Sequence, residues 1–137
     1  MSLNDEERRT MVALEIEKAH RFLNQAQMVQ DMQQWDLAAN RYYYACYHAV
    51  QGLFIAKGLP ATRKHSGTVT QFSLHFVKTG IVEPIYGSFL ARMMQLRQKA
   101  DYNCAFDITE KDLGEFVTLS KAFIDVVENL LNQKEEL

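Results

Sequence analysis

The segment Asn40-Arg-Tyr-Tyr-Tyr-Ala-Cys-Tyr-His48 puts an arginine, four tyrosines and a histidine into an otherwise apolar stretch. At roughly 3.6 residues per helical turn, positions seven apart return to nearly the same face. Arg41, Tyr44 and His48 therefore form one stripe on a helix. Ala38, Ala39, Ala45, Cys46, Ala49, Val50, Leu53 and Phe54 make the rest of that helix apolar almost all round, the pattern of a buried helix. A guanidinium and an imidazole on such a helix need partners from elsewhere in the chain, because unpaired buried charge is costly. With partners they form a structural pair. Facing a phosphate, they supply a charge and a titratable nitrogen.

A second group of polar residues is Leu96-Arg-Gln-Lys-Ala-Asp-Tyr102. Arg97 and Asp101 are four apart and share a helix face, as in an ordinary helical salt bridge. Tyr102 follows at the helix end. His65, with Arg63 and Lys64 before it, is a third candidate: a short basic loop that holds a phosphate or is only a solvated turn.

These residues need helices to position them. Asn4 with Glu7 has the spacing of a capping box, opening a first helix that runs to about Gln34. A second helix spans roughly Asp36 to Lys57 and is ended by Gly58-Leu59-Pro60. Ser66 caps a third, ending at Thr79-Gly80. Pro84 opens a fourth, where its missing N–H is not needed, and this helix frays near Asn103. Thr109 with Asp112 caps a fifth. No segment alternates like a strand. The expected fold is all-α, an up-down bundle of four to five antiparallel helices forming a single domain over residues 1–137. In that topology helices two and four run the same way and helix three runs back between them. The end of helix four and the start of helix three then share one end of the bundle, bringing Arg97, Asp101, Tyr102 and His65 together. Arg41 lies toward the opposite end.

Composition narrows the function classes. The chain has 137 residues, 47% of them hydrophobic, enough for one core. Its formal net charge of −2 predicts no general attraction to nucleic acid, so any such contact needs a local site or an oligomer groove. Cys46 and Cys104 match no metal or redox spacing and fit a reducing, cytoplasmic setting. No apolar run approaches the ~20 residues of a spanning helix, and the start has no signal-peptide layout. His20 and His75 lack ligands at metal spacing, so neither a metal site nor a cofactor is expected.

The Asn40–His48 segment, Lys64-His-Ser-Gly67, His75-Phe-Val-Lys-Thr-Gly80 and Leu96–Tyr102 occur in this order and at suitable spacing. Together they resemble the HEPN family (higher eukaryotes and prokaryotes nucleotide-binding domain), from about Glu7 to Leu131. The resemblance implies a bundle of four to five helices, usually a homodimer, from a prokaryotic source. Many members are metal-independent ribonucleases carrying an arginine and a histidine separated by four to six residues. Others are toxins paired with a minimal nucleotidyltransferase, and some only bind RNA or a nucleotide. Arg41 and His48 satisfy the nuclease spacing. In the nuclease members, however, the motif lies on a later helix and ends in histidine, any residue, tyrosine. The matching stretch here keeps Arg97 and Tyr102 but carries Asp101 and no histidine.

Metal-free RNA cleavage needs a group that moves the 2′-hydroxyl proton near neutral pH and another that stabilises the phosphorane. Histidine suits the first and arginine the second. Asp101 repels phosphate unless paired, and paired with Arg97 it cancels the binding charge. His65 supplies the missing imidazole if it reaches the same end. The candidate catalytic residues are therefore His65, Arg97, Asp101 and His48. Arg41, Tyr44, Arg63, Lys64 and Tyr102 are the candidate contacts to RNA or nucleotide, with Tyr102 also an acceptor for nucleotide modification by the resemblance. Three functions follow: a binding module, dimeric and acting with a nucleotidyltransferase; an active metal-independent ribonuclease toxin; and a structural helical bundle.

Overall fold

The computed structural model describes residues 3–60 and 64–133. It is an all-α bundle of five helices: α1 (Asp5–Asp31), α2 (Trp35–Ala56), α3 (His65–Phe72), α4 (Pro84–Tyr102) and α5 (Glu110–Asn132). Both expected capping boxes are present. Asn4 accepts from the Glu7 amide while Glu7 reaches back to the Asn4 amide, and Thr109 and Asp112 repeat the exchange at α5. Pro84 sits in the first turn of α4. The third helix is less regular than its sequence suggests. After Phe72 it widens into a π turn, Ser73–Val77, closed by the Lys78 amide on the Ser73 carbonyl at 2.8 Å. Gly87 on α4 lies against that turn, where an added Cβ would meet Val77 Cγ2 at 3.0 Å.

α2 is the axis of the molecule. It is buried along its length from Ala38 to Phe54, as its composition requires. α1 packs antiparallel to it: Gln30 meets Tyr42, Glu15 meets His48, and Arg8 donates to the Ile55 carbonyl at 2.6 Å. That last contact gives the C-terminal end of α2 a cation where its unsatisfied carbonyls favour one. α5 runs parallel to α2. The Ile108 amide donates to Asp36 Oδ1 at 2.8 Å at one end, and Ser120 bonds to Cys46 further along. α4 is antiparallel to α5, with Arg92 paired to Glu115 and Met93 against Ser120.

One expected feature of the topology is corrected. α3 does not run back along α2 but parallel to it: His65 lies beside Tyr43 and Tyr47, Gln51 reaches Thr68, and Phe54 stacks near Phe76. α4 is in turn antiparallel to α2, with Arg97 over Tyr43 and Tyr44. The cause is the link after α2. A tight link would force an antiparallel neighbour. Here Gly58, at φ 70°, turns the chain, and the link is long enough to return along the bundle. His65 and Arg97 do share one end of the bundle, but it is the end where α2 begins, so Arg41 is near them and not opposite.

Candidate functional site

α2 contributes Tyr43, Tyr44 and Tyr47, α3 contributes His65, and α4 contributes Arg97. Tyr43 and Tyr47 are one turn apart, so their rings form a continuous ledge with Tyr44 beside them. The ring centroids of Tyr43 and Tyr44 are 5.2 Å apart, and those of Tyr44 and Tyr47 5.9 Å. The His65 imidazole lies against all three, 4.6 Å from the Tyr47 ring, and its Nδ1 is 2.6 Å from the Tyr43 hydroxyl.

Arg97 lies over two of the same rings. Its guanidinium carbon is 5.2 Å from the Tyr43 ring centre and 5.6 Å from that of Tyr44. Such cation–π contacts contribute about 0.5–2 kcal/mol each, more when desolvated. Arg97 is only 9% exposed. Its Nη1 donates to Asp101 Oδ2 at 2.6 Å, while its buried Nε has no hydrogen-bond partner among the described residues. A buried donor left unpaired costs about 1–3 kcal/mol. Buried donors of this kind are met in native proteins by protein groups, ordered water or a ligand.

The electrostatics follow from this packing. Burial, and then the Arg97 charge, hold His65 below its ordinary pKa, so the ring is neutral at pH 7. Burial pushes the Tyr43 hydroxyl well above the usual phenol range despite the nearby guanidinium, so it keeps its proton. Cys46, on the far side of α2, is pushed up to about 12 by burial and is an unreactive core thiol.

The other candidates sit around this centre. His48 extends the aromatic strip, 5.4 Å from Tyr47 and edge-on to Phe22 at 5.3 Å, with its Nδ1 3.4 Å from Glu15. Arg41 lies over the same Phe22 ring at 4.8 Å. Arg41 and His48 thus find their partners in Phe22 and Glu15 of α1, while Tyr44, on the same stripe, packs against His65 and Arg97. Lys64 is exposed at the start of α3. Tyr102 ends α4 with 85% of its surface exposed and, among the described residues, joins no contact of the cluster. Arg63 lies outside the described residues. Sequence reasoning did not assign Tyr47 to the site or recognise Tyr43 as the partner of His65. The spacing of Tyr43 and Tyr47 was the available signal, since it puts both rings on one patch.

The fold and this cluster define a class: a helical bundle that presents a buried arginine, a ledge of tyrosines and a neutral histidine at one end of its central helix. A sequence model of the HEPN domain family matches residues 12–130. The chain belongs to the HEPN family. It is 33% identical over 114 residues to a UPF0332 protein of Thermotoga maritima, covering 83% of this chain and 86% of that one. It is 32% identical over 131 residues, 96% of each chain, to a protein of Methanocaldococcus jannaschii named "Putative toxin". A second protein of that organism bearing the same description is 25% identical over 122 residues, 89% of this chain and 82% of its own. No helix among the described residues is long and apolar enough to cross a membrane.

Proposed function

We propose that the chain is a HEPN module that binds RNA or a nucleotide at the Arg97 cluster, acting as a dimer and with a nucleotidyltransferase partner in a toxin–antitoxin arrangement. The observation that carries the binding reading is Arg97 itself. It is a nearly buried guanidinium with an Nε that no described residue pairs, laid across two tyrosine rings beside a neutral histidine. Guanidinium groups bind phosphate oxygens in a fork. Aromatic ledges stack unpaired bases with little sequence preference, at about 1–3 kcal/mol per base. Together they suit a phosphate with its adjoining base. The Asp101 carboxylate takes one edge of the guanidinium, and an incoming phosphate competes for it. The toxin–antitoxin setting draws on the names of the two Methanocaldococcus relatives and on the family resemblance.

The test is fluorescence anisotropy of labelled single-stranded RNA and of a labelled mononucleotide, in EDTA, with wild type and Arg97→Ala. Binding that weakens about ten-fold or more in a folded Arg97→Ala protein supports the reading. An Arg97→Ala protein that melts earlier yet binds as before would leave only a structural bundle.

A ribonuclease reading is kept because His65 does stand beside the Arg97 site. It predicts RNA cleavage in EDTA that disappears in folded His65→Ala. Intact RNA after long incubation with wild type removes it.

A further inference from the structure

We propose that Tyr43 fixes His65 as a neutral hydrogen-bond donor with its proton on Nε2, so that His65 and Arg97 form a two-donor cradle for a phosphate group and not an acid–base pair. The cradle half rests on the phosphate-binding reading above; the tyrosine–histidine half does not.

The Tyr43 hydroxyl is buried on a residue 1% exposed, and the His65 Nδ1 at 2.6 Å is its one hydrogen-bond partner among the described residues. The bond has two possible polarities. If the phenol donates, its proton is satisfied and Nδ1 is the acceptor. The neutral ring then carries its hydrogen on Nε2. If Nδ1–H donates instead, the phenol proton is left buried without an acceptor, an arrangement native interiors avoid. The first polarity is therefore the stable one. Protonating the ring to imidazolium would place hydrogen on Nδ1 and recreate the same orphan. It would also set a second cation beside Arg97.

The groups around the ring agree. α2 presents Tyr43, Tyr44 and Tyr47, and α4 presents Arg97, whose one carboxylate partner is Asp101. On its own element, Lys64 precedes His65. Among the described residues no carboxylate hydrogen-bonds to the His65 ring, so nothing there favours its charged form. Burial and the Arg97 charge both act against that form.

The consequence is chemical. A neutral imidazole bearing hydrogen on Nε2 has no lone pair on that nitrogen to take the 2′-hydroxyl proton. It is also far too weak an acid to protonate a leaving oxygen. It can donate a hydrogen bond to a phosphate oxygen. Nη2 of Arg97, free of any hydrogen bond among the described residues, is the natural second donor. This favours binding over cleavage at the same cluster.

The experiment is a long-range proton–nitrogen NMR correlation on protein labelled with 15N-histidine, at pH 7.5, with His65 assigned by its absence in His65→Ala. The expected spectrum shows Nδ1 as an unprotonated, hydrogen-bonded nitrogen and Nε2 as protonated. Tyr43→Phe, which keeps the ring and the packing, should raise the pH at which His65 titrates. Inorganic phosphate, a mononucleotide and single-stranded RNA are then added separately. A shift of His65 Nε2 that Arg97→Ala abolishes supports the cradle. Response to RNA alone assigns it to a polymer backbone, and response to all three to a phosphate as such. An unprotonated Nε2 in wild type, or a titration unmoved in Tyr43→Phe, overturns the tyrosine–histidine arrangement. Ligand binding that leaves His65 unmoved overturns the cradle. Because the tautomer is read before any ligand is added, absence of all binding sinks the functional reading and the cradle while leaving the tautomer result to stand or fall alone.

Discussion

Arg97 shows how one side chain can be both structural and available to a ligand. Its stem and Nε are enclosed, its charge lies over Tyr43 and Tyr44, and Asp101 neutralises it only from one edge. Removing Asp101 frees that edge. Asp101→Asn should therefore strengthen RNA or phosphate binding by about three- to ten-fold, read by anisotropy at fixed ionic strength, since a paired carboxylate competes for the same donors. A weaker-binding Asp101→Asn protein would mean that the carboxylate orients Arg97 more than it masks it. His65 makes a pH prediction. Its folded pKa is lowered from 6.5, so the unfolded chain binds its proton more readily than the folded one. The stability this contributes is fully present above pH 6.5 and is lost as pH falls through the folded value. Melting temperature followed from pH 7.5 downward should decline more steeply in wild type than in His65→Gln. Equal slopes would show that His65 is as free to ionise in the fold as outside it.

At the scale of elements, the site depends on how helix ends are fastened. The Thr109–Asp112 box starts α5 and fixes the loop that follows α4. Thr109→Ala should cost about 1 kcal/mol, measured by denaturant titration, because the Asp112 amide at the helix start loses its side-chain acceptor. Hydrogen bonding from Thr109 also holds the Asp112 carboxyl below its usual range, so this contribution is present above the ordinary carboxylate pKa and fades as pH falls through the folded value. Gly87 is a second control point. α4 approaches the π turn so closely there that a methyl group would press on the branched side chain of Val77. Gly87→Ala should destabilise by about 1–3 kcal/mol through overpacking, and a neutral result would show that the π turn yields. The π turn itself delivers Phe76 to the core beside Phe54 and Phe72. π turns recur where a helix adjusts its register for packing or function.

For the whole molecule, the central prediction concerns partners. Co-expression with a neighbouring minimal nucleotidyltransferase should give a co-purifying complex, and two proteins that never co-purify would remove that part of the proposal. Light scattering of the isolated chain should give twice the monomer mass if it dimerises, and a monomeric mass at high concentration would exclude this. The surface leaves room for either partner. Met11 and Leu14 on one part of α1, and Met28, Met32 and Leu37 where α1 meets α2, are large apolar side chains in the open. Apolar exposure of this kind becomes informative when it is contiguous and rimmed by polar groups.

Sequence by itself determined much of this protein. The apolar length of α2, the two capping boxes and Pro84 defined the helices, because their signals are local: spacing, side-chain reach and the geometry of a first turn. The order of four short motifs indicated the family. The stripe of Arg41, Tyr44 and His48 was legible for the same reason, since residues on one helix keep fixed angular relations. Direction was not legible. Whether α3 runs with α2 or against it depends on where the link after Gly58 leads, and the residue types of a link carry no such instruction. Only the packed structure decided that His65 meets Tyr43 near the start of α2. It also decided that Arg97 arrives there from α4, and that Glu15 and Phe22 of α1 are what His48 and Arg41 face. Those contacts join residues far apart in sequence, and they are fixed by the burial of all five helices against one another, not by the spacing within any one of them.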